Sequence, residues 1–183
     1  MFMIFWLVGL GILALLASII YYNRFVTLEN RIGNSLSQID VQLRKRADLV
    51  PNLINSVKGY AKHEKGIMKE VTEARKAFMG AKTMEQKVEK GAELQHALKS
   101  ILAIAENYPQ LKANENFLHL QQELAAIEDK VAYARQHYND SILGYNNLCK
   151  KFPGVMFASI YGKSAKKYLE IPQEARAVPK VEF

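Results

Sequence analysis

The chain opens on an uninterrupted apolar stretch. No charged side chain occurs from Met1 to Tyr22, a run dominated by Leu, Ile, Val, Phe and Ala. Because a helix rises about 1.5 Å per residue, about twenty such residues cross the roughly 30 Å hydrocarbon core of a bilayer. Aromatic rings near both ends of the run favour the headgroup region. The pattern predicts a transmembrane helix over residues 1–23, with interface anchors at Trp6, Tyr21, Tyr22 and Arg24.

The charges around this stretch predict its retention and its direction. A cleaved signal peptide needs a positively charged start and a small-residue cleavage site. The first Lys or Arg is Arg24, and no convincing A-x-A site is present, so we expect a retained anchor. The positive charges follow the stretch, at Arg24, Arg31, Arg44, Lys45 and Arg46. The positive-inside rule therefore predicts a single-pass protein with its N-terminus outside and the remaining chain in the cytoplasm.

Beyond the anchor, apolar residues recur at helical spacing. Alternate steps of three and four run from Leu36 to Phe78, apolar at every position except Arg46 and Glu64. A second such row begins at Phe117 and ends at Phe152. These rows predict two long helices. Between them a shorter helix is marked by Leu94, Leu98, Ile101, Ala105 and Tyr108.

Helix-breaking residues divide these elements. The stretches MGAKT and YPQLKANEN flank the shorter helix, and VMFASIYG after KKFPG favours a short helix that turns back. Pro51 should kink the first long helix, or divide it with Asp48 capping a new start. The predicted fold is all-α: an N-terminal transmembrane helix followed by an up-and-down bundle of three long helices and one short C-terminal helix over residues 24–170. Residues 171–183 contain two prolines and are expected to form an extended tail.

Two ionisable side chains interrupt the first apolar row. On one continuous helix Arg46 and Glu64 would lie about 27 Å apart, so each needs its own partner. Charged residues beside the second row can supply them: Glu123, Glu128, Lys130 and Arg135. We expect interhelical ion pairs that fix helix register. Two alternatives stay open, a functional polar pocket and a row that reaches solvent at these points.

The net charge of +7 is a broad signal. Lys and Arg near a membrane are expected for a single-pass protein, so nucleic acid is not predicted as a partner. A row of lysines on one helical face is expected to be solvated: Lys58, Lys62, Lys65, Lys69 and Lys76. The better candidate for lipid headgroups combines Lys163, Lys166 and Lys167 with Phe157, Tyr161 and Tyr168.

Catalytic and metal-binding patterns are weak. Glu93 and His96 form a single E-x-x-H, whereas a di-iron bundle needs two, and His63 lacks the second histidine of a zincin helix. Cys149, the only cysteine, and Ser141 lie in or beside the apolar row without a local base. No catalytic, metal or cofactor-binding residue is assigned, and no cofactor is expected.

Several sequence blocks together cover almost the whole chain: YNRFVTLEN, QIDVQLRKRADLVPNLINSVKGYAKHE, NENFLHLQQEL, IEDKVAYARQHYND and VPKVEF. In these blocks the chain closely resembles the LemA family. The resemblance implies a bacterial single-span protein of the plasma (inner) membrane with a helical bundle, and no established reaction. It also implies a set of characteristic polar positions: Asp40, Gln42, Arg46, Asp48, Pro51, Asn52, Glu64, Glu128, Tyr133, Arg135, Gln136, Tyr138, Asn139 and Asp140.

Three functions are compatible with this pattern. The leading hypothesis is a non-enzymatic scaffold or adaptor that binds a protein partner at the inner membrane face, as a monomer or homo-oligomer. The second is an enzyme or enzyme subunit with an interhelical pocket built from Arg46, Asp48, Glu64, Arg135 and Asp140. The third is a lipid-surface protein whose basic and aromatic C-terminal segment binds anionic membranes. With Glu128 added, the pocket residues form the candidate interhelical polar network.

Overall fold

A computed structural model of the chain describes residues 1–61 and 63–169. Over these residues the protein is helical and contains no strand, which confirms the all-α prediction. The helices are α1 (Phe2–Lys58), α2 (Lys65–Gly80), α3 (Met84–Ala105), α4 (Pro109–Lys112), α5 (Glu115–Lys150) and α6 (Gly154–Ile160). The extended tail predicted for residues 171–183 lies outside the described residues.

The first apolar row predicts one long helix, but in the structure it is divided between two helices. Helix α1 ends at Lys58, and α2 begins only at Lys65. Within the intervening turn Ala61 is fully buried, whereas Tyr60, which the periodicity places in the row, is exposed. The apolar spacing continues in phase on both sides of the turn, so periodicity alone does not reveal the break. Arg46 and Glu64 therefore belong to different elements, and the separation expected along one helix does not apply.

Pro51 lies inside α1, which continues through it. The alternative of a new helix capped by Asp48 is therefore wrong, and the kink stays a prediction. A proline removes the N–H that would bond the carbonyl four residues earlier, here that of Ala47. Ala47 is fully buried, and its carbonyl oxygen accepts a 2.8 Å hydrogen bond from Nε of Arg75 on α2. A neighbouring helix thus supplies the donor that Pro51 cannot.

Arg75→Met is expected to destabilise the protein by about 2 kcal/mol, because the buried Ala47 carbonyl loses its donor while the alkyl stem is retained. In a Pro51→Ala background the restored backbone N–H can bond this carbonyl, and the same substitution should cost less than about 1 kcal/mol. Urea unfolding in detergent micelles measures both values. Lys69→Met, at an exposed position of the same helix, is the control. Equal costs in the two backgrounds would refute the compensation.

The helices assemble into two compact units, and α1 and α5 each contribute to both. Among the described residues, the first unit comprises 1–36 and 135–169, and the second comprises 37–61 and 63–134. The core of the first unit contains Phe25, Ile32, Ile142, Tyr145, Cys149 and Ala158. The core of the second contains Ile39, Leu43, Val50, Leu53, Val57, Val71, Phe78, Leu94, Ile101, Leu111 and Phe117.

In the second unit, α3 approaches α1 closely at Gly91. A methyl group there would lie 3.0 Å from Cδ2 of Leu43. Glycine at this position therefore allows α3 to pack closely against α1. One turn earlier along α3, Nζ of Lys87 lies 2.7 Å from a carboxylate oxygen of Asp40 on α1. The start of α3 is fixed by a capping box, in which Thr83 and Gln86 each bond the other's backbone N–H.

In the first unit, α6 folds back against the end of α5. A methyl group on Gly154 would lie 2.2 Å from the carbonyl oxygen of Leu148, so an alanine here would clash with the backbone of α5. Ala158, on the same side of α6, is buried in the core of this unit. The short C-terminal helix predicted from VMFASIYG is therefore present and turns back as expected.

Residues 163–169, here called the C-terminal strap, are held to α5 by two asparagines. Asn146 accepts a hydrogen bond from the backbone N–H of Lys166 at 2.8 Å and donates to its carbonyl at 2.9 Å. Asn139 makes the same pair of bonds with Leu169, at 3.0 and 3.2 Å. Asn139 and Asn146 are seven residues apart, which is about 10 Å along a helix. Lys166 and Leu169 are three residues apart, which is also about 10 Å along an extended chain. The spacing of the two asparagines therefore matches the spacing of the two strap residues that they bind.

Candidate functional site

The deepest charged group of the second unit is Arg46, whose side chain is only 3% exposed. Its Nη2 lies 3.0 Å from Oε2 of Glu128 on α5, and its Nη1 donates to Oε1 of Gln95 on α3 at 3.4 Å. The Gln95 amide in turn donates to the other carboxylate oxygen of Glu128. We call Arg46, Gln95 and Glu128 the Arg46 cluster; it joins α1, α3 and α5 through a closed set of hydrogen bonds.

This geometry suits a structural role. A guanidinium has donors in a rigid fork, so its partners are held in fixed directions. Glu128 remains 46% exposed, so its carboxylate is accessible to solvent, whereas the Arg46 guanidinium is buried. A buried, compensated charge of this kind can fix the register of three helices.

The other members of the predicted polar network are Asp48, Glu64, Arg135 and Asp140. Asp48 is exposed on α1. Glu64, in the turn before α2, accepts a hydrogen bond from the Tyr108 hydroxyl at 3.3 Å. Burial and this carboxylate raise the pKa of Tyr108. Arg135 and Asp140 belong to the first unit, where Arg135 is partly buried and Asp140 is exposed. Of the residues assigned to the network, the structure brings Arg46 and Glu128 together.

A second polar cluster, in the first unit, was not predicted. Both carboxylate oxygens of Glu29 lie 2.9 Å from Nζ of Lys163, and the Tyr145 hydroxyl donates to Glu29 at 3.2 Å. The Lys166 ammonium lies over the Tyr145 ring, 5.2 Å from its centre. Glu29 is the only acidic residue before Asp40. That isolation was the one signal in the sequence that could have singled it out.

The electrostatics of this Glu29 cluster follow from its partners. The Lys163 hydrogen bond lowers the pKa of the Glu29 carboxyl, and partial burial opposes it. Burial raises the pKa of Tyr145, so the phenol stays protonated and acts as a donor. Burial also raises the pKa of the Cys149 thiol, which favours the thiol over the nucleophilic thiolate. Cys149 is also one of the buried residues that form the core of the first unit.

Glu29→Gln is expected to destabilise the protein by about 1 kcal/mol at neutral pH. Because the folded-state pKa of Glu29 is depressed, its contribution is complete above the ordinary value of 4.5 and is lost as the pH falls through the lower folded-state value. The difference between wild type and variant should therefore shrink below pH 4.5. Urea titrations across this range measure it, with Asp140→Asn as an exposed control. A pH-independent difference would contradict the ion pair.

Aromatic contacts join the N-terminal part of α1 to α6. Tyr21 stacks on Phe157 with ring centres 4.6 Å apart and planes 9° apart. Tyr22 meets the edge of Tyr161 at 5.5 Å. The Tyr161 hydroxyl donates to the Ser18 carbonyl at 2.8 Å. The tyrosines that the sequence assigned to the membrane interface thus also hold α6 in place, and their interfacial position stays a prediction, as it does for exposed Trp6 and Arg24.

The apolar start of α1 is a candidate membrane span. It is long and apolar enough to cross a bilayer, and its apolar window is not buried within the protein. Trp6 is 78% exposed, and most large apolar side chains of this segment are also exposed. Such a surface is unfavourable in water and suits a hydrocarbon environment.

The model of the LemA family matches residues 35–183. The chain belongs to the LemA family. It is similar to the magnetosome protein MamQ of Magnetospirillum gryphiswaldense, at 24% identity over 88% of this chain and 71% of that protein. It is also similar to the magnetosome proteins MamQ 2 and MamQ 1 of Paramagnetospirillum magneticum, each at 23% identity over 88% of this chain and 69% of that protein.

The LemA match covers the Arg46 cluster and the C-terminal strap. It begins after Glu29 and after Tyr21, so these two side chains precede the matched region. Among residues 1–61 and 63–169, no group of three or more His, Cys, Asp or Glu side chains could hold a metal ion.

The lysine row of this LemA-family chain lies partly on exposed surface. Lys58, Lys65 and Lys69 are exposed, and Nζ of Lys76 lies 2.9 Å from a carboxylate oxygen of Glu73. Lys62 lies outside the described residues. Solvation of this face stays a prediction.

Proposed function

We propose that this LemA-family chain is a single-pass membrane protein whose helical domain acts as a non-enzymatic scaffold for a protein partner at the inner membrane face. The observation that carries the proposal is the continuity of α1. One helix, Phe2–Lys58, begins as an apolar candidate span and continues within the first unit, where it supplies Phe25 and Ile32 to the core. An inserted span would therefore tether a folded domain at the membrane without a flexible linker.

The charge distribution supports an inward-facing domain. Arg24 and Arg31 follow the apolar segment of α1 within a few turns, and no charged side chain precedes them in the segment. The positive-inside rule keeps such a flank in the cytoplasm. A reporter that is active only in the cytoplasm, fused to the C-terminus, is expected to be active. Protease added to intact cells should leave the domain uncut, and cleavage without opening the inner membrane would contradict this orientation.

The polar side chains of the bundle support a scaffold over an enzyme. The Arg46 guanidinium bonds Glu128 and Gln95, Glu64 bonds Tyr108, and Asp48 is exposed. Within the second unit these groups have separate surroundings, whereas a catalytic set has to converge on one reacting atom. The pocket hypothesis gains no support from this arrangement.

Proximity labelling from the full-length chain in cells tests the scaffold. The matched control carries residues 1–23 on an unrelated helical domain, so that neighbours of the anchor are subtracted. At least one protein is expected to be enriched over this control and to bind the purified full chain in micelles saturably. If every enriched protein fails to bind the purified chain, the scaffold proposal is refuted. Recovery of the chain alone would indicate that it assembles only with itself.

A further inference from the structure

Helix α6 has two chemically distinct faces. At about 100° per residue, Gly154, Phe157, Ala158 and Tyr161 share one side. This side packs against the core of the first unit. The opposite side carries Val155, Met156, Ser159 and Ile160, all exposed. Met156 is 57% and Ile160 70% exposed, and Phe152, just before the helix, is 80% exposed. The outer face is therefore mostly apolar and carries no charged side chain.

This outer face lies beside the end of the candidate span. Phe157 of α6 contacts Tyr21 of α1. Tyr161, the residue that follows α6, contacts Ser18, Tyr22 and Phe25 of α1. These positions cover about 10 Å along α1 and include the last residues of its apolar stretch. The neighbouring α1 residues Leu15, Leu16, Ile19 and Ile20 are also exposed. The apolar surface of α6 thus borders the exposed apolar surface of the candidate span, near the end of the apolar stretch of α1.

We infer that α6 is an interfacial helix whose outer face inserts among the lipid acyl chains of the leaflet nearest the domain. Interfacial helices bury one apolar face about 5–10 Å into the boundary between headgroups and acyl chains. Phe152, Val155, Met156 and Ile160 supply that face, and Lys150, Lys151 and Lys167 lie exposed beside it in sequence. The inference rests on the proposed function, because it requires that the start of α1 is inserted.

The charges of the strap indicate the kind of lipid contact. The sequence had suggested an electrostatic site made by Lys163, Lys166 and Lys167. In the structure Lys163 binds Glu29 through both carboxylate oxygens, and Lys166 lies over the Tyr145 ring. Two of the three ammonium groups thus have partners within the protein. Insertion of the α6 face should therefore depend on apolar contact more than on anionic headgroups, and respond weakly to salt.

The test places an environment-sensitive fluorophore on α6 in the full-length protein. Met156→Cys is labelled and reconstituted into vesicles of phosphatidylcholine and phosphatidylglycerol. Leu13→Cys, labelled in the same way, reports on the span. Native Cys149 is buried, and the wild-type chain treated identically gives its background labelling. Iodide measures access from water, and lipids with a quencher on the acyl chain measure access from the membrane. Free fluorophore in buffer gives the iodide quenching expected for full access from water.

At both positions we expect iodide quenching to fall severalfold relative to free fluorophore, with strong quenching by the labelled lipids. Quenching at Met156 should change little between about 0.05 and about 0.5 M salt, where screening lengths shorten strongly. If Leu13 is shielded but Met156 is quenched by iodide like the free dye, the interfacial helix is refuted and the span stands. If Met156 is shielded from both quenchers, protein covers this face, which also refutes the inference. An iodide-accessible Leu13 refutes the span and, with it, the proposed function.

Discussion

Arg46→Ala is expected to destabilise the folded chain by about 3 kcal/mol. The side chain is almost fully buried, so alanine leaves a cavity among α1, α3 and α5 and removes the bonds to Glu128 and Gln95. Glu128 is half exposed and can be hydrated after the change, which keeps the cost at the lower end of the range for broken buried pairs. Urea unfolding of the full chain in micelles, followed by circular dichroism, measures the difference.

Three further variants separate the causes of this loss. Arg44→Ala removes an exposed arginine from the same helix and should change stability by less than about 0.5 kcal/mol. Arg46→Lys keeps the charge but loses the planar fork, and should recover only part of the loss. Glu128→Gln combined with Arg46→Ala gives a double-mutant cycle, in which a coupling near zero would show that the ion pair adds nothing beyond packing. If Arg46→Ala lowers the free energy of unfolding no more than Arg44→Ala does, the Arg46 cluster does not stabilise the packing of the helices.

The helical elements could be predicted because their signals are local. The apolar rows predicted α5 almost to its ends, and VMFASIYG predicted α6. The sequence does not predict the break between α1 and α2, because the apolar spacing continues across it. In the turn, buried Ala61 lies next to the position that the row assigns to Tyr60. The continuation of α1 through Pro51 was also beyond local reasoning, since the compensating donor, Arg75, comes from another helix.

The polar clusters depend on contacts that are distant in sequence. Glu29 and Lys163 are 134 residues apart, and Arg46 and Glu128 are 82 apart. Arg46 was noticed because it interrupts an apolar row, and Glu128 because it flanks another. Glu29 interrupts no row, so its partner had no sequence signal. Similarly, Asn139 and Asn146 show their role only when the strap is seen beside α5.

Gly154→Ala is expected to destabilise the first unit by about 3 kcal/mol, or to undock α6 if that costs less. Its methyl group would lie 2.2 Å from the carbonyl oxygen of Leu148, a backbone atom that cannot rotate away as a side chain can. Undocking would separate Phe157 and Tyr161 from their partners on α1 and expose the core of the first unit. Hydrogen exchange of the α6 amides, together with urea unfolding, distinguishes the two responses.

Gly33→Ala is the matched control for this substitution. Gly33 lies in α1 within the same unit, and a methyl group there would meet no heavy atom within 4 Å. Alanine is favoured over glycine inside a helix, so this change should be neutral or stabilise by up to about 1 kcal/mol. If the two variants have the same free energy of unfolding, Gly154 does not lie in close contact with the Leu148 carbonyl oxygen. If hydrogen exchange shows that Gly154→Ala undocks α6, labelled Met156 in this background should also become accessible to iodide, because the contacts of α6 with α1 are then lost.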